Sequence, residues 1–469
     1  MIIPFVASIL FFTFIGLLSI IKNKHTNADY LLAGSSIKPW LVAISAVATS
    51  NSGYMFIGMI GYTYKYGLSS VWIMFGFIFG DFLSSIFIHK KIRMKTSQRG
   101  VLSFAGILSQ WTAGEYKYLR LLLGLISVIF LGGYAAAQLN AGSKALHVLF
   151  NWHYAIGAIV GAVIVVAYCS VGGIRASIWT DAAQSFVMMG AMLMLFCVAI
   201  YNIGGVLLLV EKASAVSPEY FSLIPHHMAL NSLLGALLFV IGWTFAGFGV
   251  IGQPHIMVRF MTMDTPRSIN KVRAYYYAFY TVFSILTIGV GLCARLLLQN
   301  TATFDAELAL PILALQILPP SLVGVMLAGL FAATMSTADS QILCCTAAIT
   351  RDIFQHKTPY WLTKISTVII TGIALAFALF GTQNVFELTT MTWSVLAAAF
   401  APLLLIYVLG GKPTERVSIA IVVIGIACTL MHRALGYNVY IHAVVPGMVG
   451  GILVWAINWY INKRKIISS

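Results

Sequence analysis

Charged residues are scarce in this chain of 469 residues, where Asp, Glu, Lys and Arg together make up 9% of the sequence. A soluble domain of this length has roughly a quarter of its residues charged, because they cover its surface. Apolar residues, in contrast, reach 60%. The deficit of charge excludes an ordinary soluble fold and indicates a chain whose main solvent is lipid.

Motifs of several other function classes are also missing. There is no GxxxxGK[ST] loop for nucleotide phosphates, and no polar stretch is long enough to form a separate soluble domain. No nucleophile, histidine and acid combine into a catalytic set, so we expect neither an enzyme nor a cofactor. The cysteines lack the CxxC spacing of a zinc or redox site and all lie in apolar segments: Cys169, Cys197, Cys293, Cys344, Cys345 and Cys428.

Long hydrophobic runs dominate what is present. A helix of about 20 apolar residues crosses the hydrocarbon core of a bilayer, and thirteen runs reach that length. They lie at about 3–22, 40–62, 68–89, 118–145, 154–174, 179–203, 230–256, 274–298, 320–350, 363–381, 386–409, 417–433 and 440–461. We expect one all-helical integral membrane domain over residues 1–469, whose first span is retained rather than cleaved as a signal peptide.

The basic residues predict the orientation, because loops rich in Lys and Arg stay in the cytoplasm. The segment after the third span is the clearest case, with Lys90, Lys91, Arg93, Lys95 and Arg99. With thirteen spans threaded alternately, Arg175 and Arg259 fall on this side as well, and only five basic residues fall on the other: Lys65, Lys144, Lys212, Arg295 and Arg433. We expect a multi-pass protein of a plasma membrane of the bacterial inner-membrane type, with the N-terminus outside and the C-terminus in the cytoplasm. The scatter of these residues over short loops argues against a nucleic-acid partner, despite the formal net charge of +15.

Two of the runs are interrupted at membrane depth. The second contains five small or polar residues in succession, from Thr49 to Gly53, and the seventh contains four glycines between 242 and 252, followed by Pro254. Proline removes a helical hydrogen bond, and glycine lets the backbone unwind. In lipid such breaks persist only where they line a cavity or are buried in protein. The alternative is that the small residues merely let helices pack closely.

The interrupted runs open two blocks of five spans each. Because five is odd, the two blocks enter the membrane from opposite sides, which is the plan of a LeuT-like 5+5 inverted repeat with its site near the midplane. We expect an extra N-terminal helix and loop at 1–37, repeats at 38–203 and 230–409, and two C-terminal helices at 410–469.

The ninth run offers oxygen ligands for a hard cation such as sodium. Ala333, Ser336, Thr337 and Ser340 recur with the spacing of one helical face. Backbone carbonyls freed where the second run unwinds, at Ala48 and Asn51, would face them. We therefore predict a sodium site, the only metal expected, from Ala48, Asn51, Ala333, Ser336 and Thr337; the alternative is that the hydroxyls bond back to their own helix.

Four acids lie within or at the edge of spans: Asp81, Asp181, Asp339 and Glu387. Ionisable groups at this depth are costly and point to function. Asp181 and Asp339, with Ser340, are candidates for a second cation or a proton, or else for internal hydrogen bonding. Asp81 and Glu387 are expected to be structural.

The same stretches resemble a known family. Gly172 and Gly173, followed by Trp179, Thr180, Asp181 and Gln184, resemble the signature of the sodium/solute symporter family. The stretch 252–261 is similar to the sodium/proline symporter branch, as are 335–337 and the approach from Asp29 to Pro39. The resemblance runs from about residue 28 to 355.

This resemblance implies a LeuT-like core with one extra N-terminal helix. It implies a sodium site at the five positions predicted above and, in some members, a second sodium near Asp181, Ser336, Asp339 and Ser340. The chain departs from the branch at Ser50, where the relatives carry an aspartate needed for sodium coupling, and at Ser35, where they carry arginine. Tyr54, Ala246 and Val250 stand in place of larger or different aromatic residues. We hypothesise that Asp339 returns the charge missing at Ser50.

We expect a sodium-coupled symporter that takes up a small organic solute, most closely proline or a similar amino acid, by alternating access. The cavity walls are predicted from Tyr54, Tyr134, Gln138, Phe248 and Gln253. The expected partners are the solute, sodium and the bilayer, with no obligatory protein partner. The alternatives are a proton-coupled transporter of the same fold and a membrane sensor that binds solute without moving it.

Overall fold

The computed structural model describes residues 1–112, 114–298, 305–354, 358–381 and 384–468, with side chains up to residue 463. Residue 469, the end of the predicted C-terminal pair, lies outside it. Across this part of the chain every regular element is helical, and the one strand-like contact is an isolated bridge between Ile37 and Met263.

Eighteen α-helices follow one another in the described residues. They are α1 (Ile2–Leu18), α2 (Asn27–Leu32), α3 (Pro39–Gly53), α4 (Ile60–Tyr66), α5 (Val71–Arg99), α6 (Phe104–Ser109), α7 (Lys117–Phe150), α8 (Tyr154–Ile203), α9 (Val206–Val216), α10 (Leu233–Phe248), α11 (Pro254–Met261), α12 (Ile269–Leu297), α13 (Ala309–Ile317), α14 (Pro320–Ala347), α15 (Tyr360–Phe380), α16 (Val385–Val408), α17 (Glu415–Ala434) and α18 (Val444–Ser468).

Eleven helical segments of the described chain are long and apolar enough to cross a membrane. Two of them run for 61 and 50 residues, over Pro39–Arg99 and Tyr154–Ile203. Each is about twice the length of one crossing, and each contains a turn at a glycine of positive φ, Gly67 and Gly173. Splitting both at these turns gives the thirteen predicted spans.

The turn at Gly173 has a steric reason. Its φ is +55°, and an added Cβ would lie 2.3 Å from the carbonyl oxygen of Tyr30 in α2. Only glycine accepts both this backbone conformation and this close approach. The predicted pair of glycines therefore lets the N-terminal segment pack against the bend of α8.

Both predicted helix interruptions are present. In α3 the helical path is lost at Ser52, where φ is +32° and ψ is 176°. The other break separates α10 from α11: a short 3-10 turn over Gly249–Gly252 ends at Gln253, and α11 restarts with Pro254 in its first turn.

The core of the bundle is built on α14 and α16, the most deeply buried of the spans. Helix α14 packs against α3, α7 and α8, and α16 packs against α7 and the turn after α10. Helix α1 covers α8 and α14, while α17 and α18 cover α16. The two broken helices thus lie beside the buried α14 and α16.

Candidate functional site

The break in α3 is held by a glutamine from α7. The Gly53 N–H donates to Oε1 of Gln138 at 2.8 Å, and the Tyr54 N–H donates to Oγ of Ser52 at 3.1 Å. These bonds replace helical partners that the break removes. Gln138, predicted as a cavity wall, therefore stabilises the unwound backbone.

Helix α14 meets the broken helix at the predicted sodium residues. The Thr337 hydroxyl lies 3.0 Å from the Thr49 carbonyl oxygen and 3.2 Å from that of Ala333. The Thr49 and Ser340 hydroxyls are 3.0 Å apart. The structure thus brings Ala333, Thr337 and Ser340 against α3 directly after Ala48.

Two side chains of this set have no hydrogen-bond partner among the described residues. They are Ser336, through its hydroxyl, and Asn51, through both atoms of its amide, and both residues are fully buried. Buried polar groups are almost always satisfied in folded proteins. Hydroxyl, amide and carbonyl oxygens are also the ligands that hard cations prefer, so this donor set fits a sodium ion.

A second cluster shares Ser340 with the predicted sodium residues and contains the two predicted acids and an arginine. Arg259 donates through Nη2 to Asp181 at 3.2 Å and lies 3.7 Å from Asp339. The same nitrogen bonds to the hydroxyls of Ser177 and Ser340. Arg259, Asp181 and Asp339 are all completely buried. A guanidinium therefore lies at the position where a second cation or a proton was expected.

The prediction that Arg259 belongs to a cytoplasmic loop is wrong, because the residue lies inside α11 with no exposed surface. Arg175, placed in a loop by the same reasoning, is also buried, in the bend of α8. The apolar run 256–261 on both sides of Arg259 was a signal that this arginine is buried, since such residues seldom flank a loop cation.

Asp339 is extensively hydrogen-bonded. Tyr168 donates to Oδ2 at 2.7 Å, and Ser177 donates to Oδ1 at 2.8 Å. Asp181 accepts from Ser45 at 2.5 Å through Oδ2, and Ser336 lies next to the Asp181 carboxylate. The two acids are therefore anchored differently, and Asp181 lies beside Ser336 of the predicted sodium site.

A small cavity of about 30 Å³ lies beside the break of α3. This volume holds about two water molecules. Its lining is mostly aromatic: Ser50, Tyr54, Met74, Phe77, Tyr134, Trp243, Tyr280, Thr389, Thr390, Trp393 and His442. We call it the central cavity.

Of the predicted cavity walls, Tyr54 and Tyr134 line the central cavity. Gln138 bonds to the broken backbone, Gln253 donates to the Trp393 carbonyl at 3.0 Å, and Phe248 lies at the end of α10 outside this lining. Sequence reasoning missed the aromatic residues of α5, α10, α12 and α16, because nothing distinguishes them from other aromatics of long apolar helices.

A wider space of about 390 Å³, the vestibule, shares Trp243, Thr390 and His442 with the central cavity. Between the two lies Phe386, whose ring centroid is 5.4 Å from that of Tyr54 and 5.4 Å from that of Tyr62. The rings of Tyr54, Phe386 and Tyr62 thus form a continuous row from the central cavity to the vestibule, and we call Phe386 the lid.

The entrance also contains a histidine, His227, from the loop before α10. Its Nε2 lies 2.5 Å from the Tyr62 hydroxyl. Burial, together with the positive charge of Lys65, lowers the pKa of His227 to about 4. The imidazole is therefore neutral near pH 7.

Glu307, which precedes α13, ties the lid to the rest of the bundle. Its carboxylate accepts from the backbone N–H groups of Val385 and Phe386, the latter at 2.8 Å, and pairs with Lys144 of α7. A carboxylate at a helix N-terminus is favourable because it meets unsatisfied N–H groups and the positive end of the dipole. This contact fixes the start of α16, which carries the lid.

The opposite end of the bundle, where α5 carries its basic residues, is closed by ion pairs. Arg175 bonds to Asp29 at 2.5 Å, and Arg120 bonds to Asp352 at 3.0 Å. The backbone of Ile37 also bonds to that of Thr262 and Asp264. These ion pairs and backbone bonds lie at the basic end of the bundle, and the vestibule lies at the other end.

Comparison with known proteins gives a family match over residues 30–459, to the sodium:solute symporter family. The High-affinity proline transporter PutP of Bacillus subtilis is 26% identical over 444 residues, which are 92% of each chain. The Sodium/proline symporter of Salmonella typhimurium is 26% identical and covers 97% of this chain and 91% of the relative.

Solved structures share the fold. A Na⁺-coupled sialic acid symporter in a substrate-bound outward-open state superposes with a TM-score of 0.80 at 16% identity, covering 97% of this chain and 96% of that one. MhsT in complex with L-phenylalanine gives a TM-score of 0.60 at 14% identity, covering 90% and 98%. The predicted LeuT-like fold is confirmed.

Proposed function

The chain belongs to the sodium:solute symporter family, and on that basis we propose that it uses a sodium gradient to take up a small organic solute by alternating access. The observation that carries this proposal is the contact of α14 with the broken α3. Thr337 touches the Thr49 carbonyl there, and oxygens of Ser336 and Asn51 are buried without partners in the described structure. A sodium ion bound to Ala48, Asn51, Ala333, Ser336 and Thr337 would join the two helices.

The coupling cycle follows from the two ends of the bundle. Sodium bound between α3 and α14 holds the break in one geometry, and solute enters from the vestibule past Phe386. Closing the lid and releasing Arg175 from Asp29 at the other end then exposes both to the cytoplasm. An inward-negative membrane potential assists, at about 2.3 kcal/mol per charge per 100 mV.

The proposed solute is proline or a similar amino acid, with betaine and a small carboxylate as the other candidates. Both curated relatives described above are named as proline transporters. The central cavity, about 30 Å³ in this structure, widens to admit such a solute. Its aromatic lining suits a compact solute with an apolar ring or chain, and the hydroxyls of Ser50, Thr389 and Thr390 can bond the polar end of that solute.

We further propose that Arg259 is a fixed charge which takes the place of a second mobile cation between Asp181 and Asp339. The ion pairs of 3.2 and 3.7 Å support this assignment. With Arg259 as a fixed charge, sodium binds at the other predicted site, between α3 and α14. It also argues against Asp339 as the group that replaces the charge missing at Ser50, because Asp339 already faces a guanidinium.

The test is uptake of labelled proline, betaine and small carboxylates into proteoliposomes, with a sodium gradient and a pH gradient imposed separately. We expect uptake that follows the sodium gradient. Uptake that follows the pH gradient and ignores sodium would support the proton-coupled alternative, and solute binding without uptake would support a sensor.

A variant tests the residues. Thr337→Ala removes the hydroxyl that touches α3 and is expected to raise the sodium concentration for half-maximal uptake by about tenfold, in keeping with one lost ligand of about 1–2 kcal/mol. Thr371→Ala is the matched control, since Thr371 is buried and its hydroxyl donates to the Thr367 carbonyl of its own helix. Equal sodium dependence in the two variants would refute the site.

A further inference from the structure

Asp81 is a buried acid that the proposed sodium site does not use. It lies on α5 with no exposed surface, and neither carboxylate oxygen has a hydrogen-bond partner within the described residues. Phe77, one helical turn before it, lines the central cavity together with Ser50. Asp81 therefore lies one layer below the cavity floor, toward the basic end of α5.

Hydroxyl groups connect this acid to the broken helix. Ring packing holds α12 against this part of α5, with the ring centroids of Phe82 and Tyr277 5.3 Å apart, and the phenols of Tyr276 and Tyr277 lie next to the Asp81 carboxylate. Tyr276 also faces Ser50 of α3. The hydroxyls of Ser50, Tyr276 and Tyr277 are, like Asp81 itself, without hydrogen-bond partners in the described part of the chain. Four polar groups, none of which forms a hydrogen bond of good geometry within the described residues, thus lie close together between α3, α5 and α12.

No cation of the neighbouring described elements pairs with Asp81. Helix α10, which packs most extensively on α5, contains no ionisable residue. On α11, Arg259 is bound to Asp181 and Asp339, and the ring of His255 packs on Tyr134. On α12, Tyr276, Tyr277 and Tyr280 are the ionisable groups facing Asp81.

The remaining charged groups near α5 are engaged elsewhere. Arg273 of α12 donates to the backbone carbonyls of Ser85 and Ile86, at 2.9 and 3.2 Å. His89, two turns beyond Asp81, stacks on Phe260 with ring centroids 3.7 Å apart. Glu387 of α16 is exposed. An isolated carboxylate at this depth is strongly unfavourable unless a positive charge joins it.

We propose that Asp81 is the binding group of a second coupling site for a monovalent cation, a sodium ion or a proton, joined to the broken helix through Tyr276 and Ser50. Binding neutralises the carboxylate and lets the phenols satisfy one another and the Ser50 hydroxyl. Occupancy of this site thereby fixes α3 relative to α5 and α12, next to the solute. The proposal rests on the symport function proposed above.

The experiment compares the wild type with Asp81→Asn in proteoliposomes, with sodium and pH gradients imposed separately. If the cation is sodium, the variant needs at least about tenfold more sodium for half-maximal uptake, because a unit charge so close to a bound ion is lost. If it is a proton, the variant loses the stimulation by a pH gradient and keeps its sodium affinity. An Asp81→Asn variant with the sodium requirement of the wild type and the same response to a pH gradient would overturn the proposal.

Two further variants separate the charge from the packing. Glu211→Gln, at an exposed acid of α9, is the control and is expected to behave as wild type. Ser50→Asp combined with Asp81→Asn moves the acid to the other end of the phenol link, and we expect it to regain the lost cation dependence. A double variant that folds, by size-exclusion chromatography, but does not regain it would overturn the link through Tyr276.

The two proposals fail differently. A wild-type protein without sodium-driven uptake refutes the symport function, whatever Asp81 does. A wild-type protein that transports with sodium, beside an Asp81→Asn variant identical to it in both gradients, refutes only the second site.

Discussion

Replacing Arg259 by glutamine tests whether a guanidinium serves as a built-in cation. The change removes the one positive charge that the structure places between Asp181 and Asp339, at 3.2 and 3.7 Å. With an effective dielectric constant of about 20, Coulomb attraction at these distances is about 5 and about 4.5 kcal/mol. Part of this attraction offsets the desolvation of the charges, so we expect a net loss of stability of about 3–5 kcal/mol, as for other buried pairs broken on one side.

Sodium should restore part of this loss, because a mobile cation can enter the space that the guanidinium leaves. A ligand at about 100 times its dissociation constant stabilises the folded state by about 2.7 kcal/mol. The assay is thermal unfolding of the purified protein in detergent, with sodium titrated against choline. The variant is expected to melt several degrees below the wild type without sodium and to gain more from sodium than the wild type does.

Two companions complete this experiment. Arg273→Gln is the control, since Arg273 bonds to backbone carbonyls and forms no ion pair in the described structure. Arg259→Gln combined with Asp339→Asn removes one acid together with the cation and should recover stability relative to Arg259→Gln. An Arg259→Gln variant as stable as the wild type, with or without sodium, would refute the reasoning.

Three other predictions concern the break, the lid and the entrance. Gln138→Leu leaves the Gly53 N–H without its acceptor. We expect the folded protein to lose about 1–3 kcal/mol of stability in thermal unfolding and to bind sodium more weakly. Unchanged sodium affinity would show that Gln138 does not support the break. Phe386→Ala removes the ring between Tyr54 and Tyr62, so bound solute should dissociate faster in a dilution assay, and an unchanged rate would rule out the lid. The pKa of His227 is lowered to about 4 in the folded protein. The stability that the neutral imidazole contributes is therefore complete above the usual pKa of about 6.5 and declines as the pH falls toward 4. The melting temperature of His227→Gln should depend less on pH between 7 and 4.5 than that of the wild type, and identical pH profiles would contradict this.

The span pattern and the breaks could be predicted from sequence because each depends on local chemistry. Runs of about 20 apolar residues have one stable solution in lipid, and Pro254 or the small residues around Ser52 cannot continue a helix unaided. The sequence places Gln138 near the break but predicts it as a cavity wall. In the structure Gln138 instead accepts the hydrogen bond from the Gly53 N–H. Its acceptor role depends on the packing of α7 against α3, which no local pattern specifies.

The charge network shows where sequence reasoning failed. Asp181 and Asp339 were recognised as unusual because acids are rare in spans. Arg259, eighty residues before Asp339, was assigned to a loop by the rule that cations mark the cytoplasmic side. The rule gave the wrong place because burial of this cation is stabilised by acids on two other helices, and that compensation exists only after folding. The aromatic lining of the central cavity, including Trp243 and Trp393, was missed because these residues look like any other aromatics of long apolar helices until folding brings them together.

The contact of Glu307 with the start of α16 has a mechanical consequence. Because one carboxylate holds two backbone N–H groups of α16 and the ammonium of Lys144, the helix cannot tilt outward by itself. It either drags the segment that leads into α13 along with it or waits until water replaces all three donors. Widening of the pathway at this end therefore requires either a joint movement of α16 with the segment before α13 or the transfer of the Glu307 carboxylate from backbone donors to solvent.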